Sequence, residues 1–237
     1  GQPLDVSRYR NASTNATWQV IPAGHAIEFN AANQDQIISN TDIALRKEQD
    51  FTVELWFKSS AQNQTLFTNG SSVFDDQGVL FGNVDGWTIG LNSSGKIEVI
   101  NNLDTLTSTH EFNDNNWNHL ALVKDSEIST ILFVNGNQEI TDTKTINRGF
   151  GGASISLGAN LDIVGLEVPA QYFDGLIDEV RVWGKARKLN QIVRDSRIAL
   201  KGDELGLLAY YPFERFENGT DTYTSLLDAH LDETIYN

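Results

Sequence analysis

The chain has 237 residues, of which 40% are hydrophobic, enough for a sizeable core; it contains no cysteine, so disulfides and thiolate metal sites are excluded. Acidic residues outnumber basic ones 32 to 17, and the net charge of −15 disfavours nucleic acid and anionic membrane as partners while favouring cations. No apolar run approaches the roughly 18 residues of a spanning helix, which speaks against membrane insertion by a helix.

The chain starts at Gly1 and has no methionine, so it reads as a piece of a longer protein. Residues 1–22 are polar and irregular and predict a linker or N-terminal arm, docked onto the domain by Trp18. From Ala26 the pattern turns regular, with AIEFN, a polar loop and QIIS. FTVELWFK at 51–58 then alternates with period two, which sets Phe51, Val53, Leu55 and Phe57 on one face and Thr52, Glu54, Trp56 and Lys58 on the other. Short strand-like runs follow to about residue 160: TLFTNG, GWTIGL, KIEVI, HLALVKD, ILFVNG and SISLG. Ser94-Gly95 and Asn135-Gly136 stand between such runs and predict tight hairpin turns.

The stretch Tyr172–Arg187, YFDGLIDEVRVWGKAR, predicts a long strand. Strict alternation sets Leu176, Asp178, Val180 and Val182 on one face and Ile177, Glu179, Arg181 and Trp183 on the other. Asp178 thus falls on a mainly apolar side, where a carboxylate needs an amide, a cation or a metal as partner. One helix is expected from about Leu189 to Leu200, capped by Asn190, and GLLAYYPFE at 206–214 reads as a closing strand. Residues 215–237 turn polar and predict a C-terminal extension or linker, so the domain itself is placed at 23–214. Many short strands with a single helix predict an all-β, two-sheet antiparallel sandwich.

Taken in order, AIEFNAANQDQII, FTVELWFK, LFTNG, GWTIGLNSSGKIEVI, NNWNHLALVKD, ILFVNGNQ, ISLGAN, FDGLIDEVRVWGKARKLNQI and LLAYYPFE resemble the laminin-G-like branch of the concanavalin A-like lectin/glucanase superfamily. The resemblance implies a jelly roll of two curved antiparallel sheets. It implies less about function, because relatives include lectins, polysaccharide hydrolases, adhesion modules and spacers. It also implies a structural calcium between an early loop and an acidic residue of the last long strand. Carried over, the ligands are Asp35 and Asp178, with Asn33 or Glu28 as lesser candidates; six to eight oxygens from distant segments suit that ion. The early loop departs from the family's FDGxxDY, reading FNAANQDQ, with Asn30 and Ala31 in place of Asp and Gly.

The hydrolase relatives carry several carboxylates in alternation on one strand, where one attacks or stabilises and another protonates the leaving oxygen. Here Glu54 stands without a second carboxylate on its strand, and the histidines at 25, 110, 119 and 230 are scattered. No catalytic residue is therefore assigned. Trp56 and Trp87 are the candidate sugar-stacking platforms, with a framework role as the alternative for both; Trp56 either lies on an outer sheet face or under the helix.

The expected function is a non-catalytic carbohydrate-binding or adhesion module, met by a polysaccharide, a glycan or a surface protein. It would be a monomeric domain within a longer secreted or cell-surface protein, read as bacterial because no disulfide is possible. The alternatives are a structural spacer with no small ligand and a divergent glycoside hydrolase.

Overall fold

The computed structural model describes residues 26–213, except 40–42, 44, 46–48, 71, 75–79, 84–86, 102–103, 126–128, 143–153 and 160–170, together with strands at 222–224 and 232–236. The arm expected at 1–22, with Trp18, lies outside the described residues. The strands are β1 (Ile27–Phe29), β2 (Gln36–Ile38), β3 (Phe51–Lys58), β4 (Gln64–Gly70), β5 (Ser72–Phe74), β6 (Leu80–Asn83), β7 (Trp87–Leu91), β8 (Lys96–Asn101), β9 (Asp104–Glu111), β10 (Asn118–Asp125), β11 (Ser129–Val134), β12 (Asn137–Asp142), β13 (Ser154–Leu157), β14 (Gly175–Trp183), β15 (Leu207–Tyr211), β16 (Thr222–Thr224) and β17 (Asp232–Tyr236). The helix α1 spans Leu189–Asp195, and a 3-10 turn spans Ala31–Asn33.

Two sheets carry nearly all of this. The seven-stranded sheet runs β1-β14-β3-β10-β11-β12, with β15 added on β14; the eight-stranded sheet runs β16-β17-β2-β13-β4-β7-β8-β9. The all-β, two-sheet antiparallel sandwich with one short helix is thus the architecture the sequence predicts. β1 and β15 share one edge of β14: β1 pairs along Gly175–Ile177 and β15 along Val180–Trp183. β17 pairs with β2, Thr234 opposite Ile38, so part of the stretch expected to be a C-terminal extension or linker continues the sheet instead.

The core lies between the sheets. Phe51, Val53, Leu55 and Phe57 face it from β3 as the alternation predicts, all at 1% exposure or less. Trp87 is wedged into this core, stacked at 5.4 Å on Phe51 and at 5.3 Å on Phe67. The hairpin expected at Asn135-Gly136 joins β11 to β12 as a two-residue turn with φ of 53° and 77°, the left-handed pair that asparagine followed by glycine adopts readily. Asn135 also fastens the turn to β10: its Oδ1 accepts from the His119 N–H at 2.9 Å and its Nδ2 donates to Asn118 Oδ1 at 2.8 Å.

Strand β14 does not keep strict alternation. Asp178 is opposite Trp56 and Arg181 is opposite Glu54, so two residues of β14 span one residue of β3, and Glu179 sits at a φ of 52°. This is a β-bulge, and an inserted residue reverses the phase of everything beyond it. Ile177, Val180 and Val182 all face the core, while Asp178, Arg181 and Trp183 share the opposite face with Glu54, Trp56 and Thr52. The expectation that Asp178 lies with Val180 and Val182 on an apolar face is corrected accordingly.

Helix α1 ends at Asp195, five residues earlier than expected, and its cap is Lys188, whose N–H donates to Gln191 Oε1 at 3.0 Å. Sheet side chains take the carbonyls at and just beyond its end. Arg181 donates to the Asp195 carbonyl at 2.7 Å and to that of Ile198 at 2.8 Å, and the Trp56 indole donates to Ser196 O at 3.3 Å. A cation at this end also complements the helix dipole.

Candidate functional site

Each sheet has an outer face, and the two are built differently. On the seven-stranded sheet α1 lies across β10 and β11, packing Ile192 on Ala121, Val123 and Phe133. Beside this apolar contact sits a buried charged network. Glu54, fully buried on β3, accepts from Arg187 Nη1 at 2.5 Å, and His119 Nε2 is 3.5 Å from its other oxygen. Arg187 also binds Asp195 and lies over the Trp183 ring, 3.9 Å from the centroid. Arg181 donates to Glu179 at 2.5 Å, and the Tyr210 hydroxyl donates to the same carboxylate at 2.8–2.9 Å.

These contacts set the ionisation states. Burial pushes the Glu54 carboxyl up, but His119 and the Arg187 and Arg181 charges outweigh it and hold it below the usual carboxylate range. Burial holds the His119 imidazole below its ordinary value, against the pull of Glu54. Burial, then the neighbouring Glu179 charge, pushes the Tyr210 phenol well above its usual range, so it remains a hydrogen-bond donor. The network is a sealed mortar between sheet and helix. It offers no solvent-facing surface to a ligand.

Trp56 belongs to that sealed face. It is 5% exposed, packed at 5.1 Å against the His119 ring and bonded to Ser196. Trp87 is 1% exposed inside the core. Neither candidate platform presents a face on which a sugar ring can stack, because α1 covers one and the facing sheet covers the other; both rings are framework.

The two candidate calcium ligands sit on separate segments, each with its own backbone partner. The loop carrying Asp35 leaves β1 beyond the Phe29–Gly175 pair, whereas Asp178 lies three residues further along β14. Asp35 Oδ2 accepts from the Asn30 N–H at 2.8 Å and stabilises its own loop, while Oδ1 is buried without a hydrogen-bond partner. Asp178 Oδ1 accepts from the Glu179 N–H at 2.8 Å and supports the bulge. Glu28, opposite Leu176, and exposed Asn33 add no third ligand; among the described residues no group of three or more histidine, aspartate or glutamate side chains is placed to hold a metal. Among the described residues no acidic or histidine cluster joins Asp35 and Asp178 to complete a calcium shell.

The outer face of the eight-stranded sheet is the open one. Cross-strand register sets Thr65, Gly90, Glu98 and Thr107 in one row, and Thr68, Thr88, Ile100 and Thr105 in the next. The chain leaving β13 covers the β4 end, where Thr68 and Ser156 both donate to the Ala159 carbonyl. Exposure rises toward β9: Thr88, Gly90 and Glu98 are half-buried, and Ile100, Thr105 and Thr107 are exposed. Gly90 is required here, since a Cβ would come within 2.5 Å of the Gln64 carbonyl oxygen. Glu98 is held in place through Oε1, which accepts from Asn92 Nδ2 at 2.8 Å and Thr107 Oγ1 at 3.4 Å.

This strip is a shelf of hydroxyls with one oriented carboxylate and one exposed aliphatic side chain. Glu98 is the only carboxylate in the two rows, so the acid and base pair of glycoside cleavage is absent from them. The alternation that builds the rows is legible in GWTIGL and KIEVI; that this face stays open is not, since it follows from where the helix docks. No helix among the described residues is long and apolar enough to cross a membrane.

A family profile of the concanavalin A-like lectin/glucanases superfamily, of laminin-G type, matches residues 31–193. Among solved structures, the chain is similar to a candidate carbohydrate-binding protein from Bacteroides ovatus, at 19% identity and a TM-score of 0.69, over 93% of this chain and 60% of that one. It is also similar to the CBM40 module of a Ruminococcus gnavus IT-sialidase bound to α2,3-sialyllactose (19% identity, TM-score 0.51, 72% and 95% covered). A third is the heptameric SAP-like pentraxin of Limulus polyphemus (16% identity, TM-score 0.51, 73% and 77% covered). The chain therefore spans about 60% of the length of the Bacteroides protein. No curated protein matches it by sequence.

Proposed function

We propose, on the premise that this chain belongs to the concanavalin A-like lectin/glucanases superfamily, that it is a non-catalytic carbohydrate-binding module of a secreted or cell-surface protein. One observation carries the reading: helix α1 covers the middle of one outer sheet face, while the strip over β7, β8 and β9 is left half-open and lined with Thr88, Gly90, Glu98, Ile100, Thr105 and Thr107. Threonine hydroxyls and a fixed carboxylate oxygen bond sugar hydroxyls. Two of the similar structures, the Bacteroides protein and the sialidase module, are described as carbohydrate-binding or hold a sugar, which accords with the reading. Glu98 is the one carboxylate of the two rows, and the nearest other, Glu111, stands opposite Lys96, which accords with binding without cleavage.

Affinity electrophoresis through gels carrying plant, algal and host polysaccharides tests it. At least one polysaccharide should retard the chain, with no sugar released on long incubation. Migration unchanged in every gel would favour the spacer; released reducing sugar would favour a hydrolase.

A further inference from the structure

The open strip also has a chemistry that selects among glycans, an inference that rests on the binding role above. We infer that its ligand is an uncharged glycan of one or two sugar rings, and that sialylated and uronic-acid sugars are rejected.

Size comes first. Strands about 4.8 Å apart put β7 and β9 about 10 Å from each other, and the two rows lie about 7 Å apart along the strands. That footprint matches one or two sugar rings.

Charge decides the class. Glu98 uses Oε1 for Asn92 and Thr107, and its Oε2 accepts no hydrogen bond from the described residues. A carboxylate oxygen accepts only, so its complement is a donor, and a sugar hydroxyl is one. A sugar carboxylate is also acceptor-only and negative; beside Glu98 it would meet a like charge with nothing to bond. Lys96, on the same face of β8, stands directly opposite Glu111 and so brings no net positive charge. The whole chain, at −15, adds to the repulsion. Ile100, 40% exposed between Thr88 and Thr105, provides the apolar contact for the C–H face of a pyranose. The sialyllactose-bound module shares the fold at 19% identity, and fold alone does not transfer its ligand.

The test pairs neutral with anionic probes on the whole chain: lactose against 3′-sialyllactose by calorimetry, and laminarin and xylan against alginate and polygalacturonate in affinity gels. Retention is expected on a neutral probe only, insensitive to salt. Glu98→Ala should weaken it about tenfold or more, the loss of a hydrogen bond to a charged group, with an unchanged melting temperature. Preference for an anionic probe, falling as salt rises, would overturn the ligand class while leaving glycan binding intact. Full neutral binding by Glu98→Ala would also overturn it, by moving the site off the strip. Failure of all probes would remove the binding role itself and this inference with it.

Discussion

Arg187 and Glu54 lie 133 residues apart in sequence and meet in a buried ion pair, Nη1 2.5 Å from Oε1. The pair clamps the segment entering α1 to the middle of β3, and Asp195 at the helix's end holds the same guanidinium. A buried charge is costly once its partner is removed, about 3–5 kcal/mol. Arg187→Met should therefore destabilise the domain by that order. At about 2–4 °C per kcal/mol the melting temperature falls by roughly 6–20 °C. The double variant Arg187→Met with Glu54→Met should recover part of the loss; if it melts lower still, the pair is not what the single variant disrupts.

Acid should loosen the same junction in two stages. His119 has a folded value below its ordinary 6.5, so the unfolded chain takes up a proton first as pH falls. Stability therefore drops as pH falls below about 6.5 and levels off once the folded imidazole also titrates. Glu54 is held below its ordinary 4.5 and Asp195 below 3.8, so their contribution is complete above those values and is lost as pH falls through the folded ones. Melting curves from pH 8 to 3 should show both stages. In His119→Gln the upper stage should vanish and the lower persist; an upper stage surviving that change would assign it to another group.

The two tryptophans should separate cleanly in mutants. Trp87→Ala removes the ring between Phe51 and Phe67 and should cost about 3–5 kcal/mol, as large-to-small core changes do. Trp56→Phe keeps an aromatic ring against His119 but loses the donor to Ser196, about 1 kcal/mol. Glycan retention at temperatures well below melting should be the same in Trp56→Phe as in the parent. A Trp56→Phe chain that melts normally yet binds nothing would return that ring to the ligand site.

Calcium should have little effect on stability. An ion bound by the folded chain alone at a hundredfold excess over Kd adds about 2.7 kcal/mol, or roughly 5–11 °C here. With Asp35 and Asp178 each accepting a backbone N–H of its own segment, and no group of three acidic or histidine side chains among the described residues, no such rise is expected on titrating chelated protein. A rise of that size, abolished by Asp178→Asn, would show that the two carboxylates converge after all.

What the sequence disclosed depended on how far strict periodicity holds. FTVELWFK and the Asn135-Gly136 turn follow simple rules of alternation and left-handed backbone, and the structure obeys them residue by residue. YFDGLIDEVRVWGKAR does not. The extra residue at Glu179 is ordinary in composition, and only the register with β3 reveals that Asp178 and Val180 part company. The end of α1 is hidden for a similar reason: Arg181 and Trp56, which bind the carbonyls there, come from strands distant in sequence. The open strip carries no signal of its own in the sequence, because threonine, glycine and glutamate on a strand are what any solvated sheet face carries; the docking of α1 on the other sheet singles it out. The final strands, in polar sequence, gave no apolar alternation to read.

The pairing of β3 with both β10 and β14 sets a timetable for biosynthesis. β10 can join one edge of β3 early, but β14, which must occupy the other, is encoded roughly 120 residues downstream of it. At about 5–20 residues per second, translation leaves that edge open for roughly 6–24 s. Through that interval FTVELWFK has unpaired backbone groups along one side and a row of large apolar side chains on one face, the combination that recruits other strands. Expression yield should therefore depend on translation rate and temperature more steeply than the stability of the finished domain would suggest, with slower growth or holding chaperones relieving losses that no stabilising substitution in the folded state can reach.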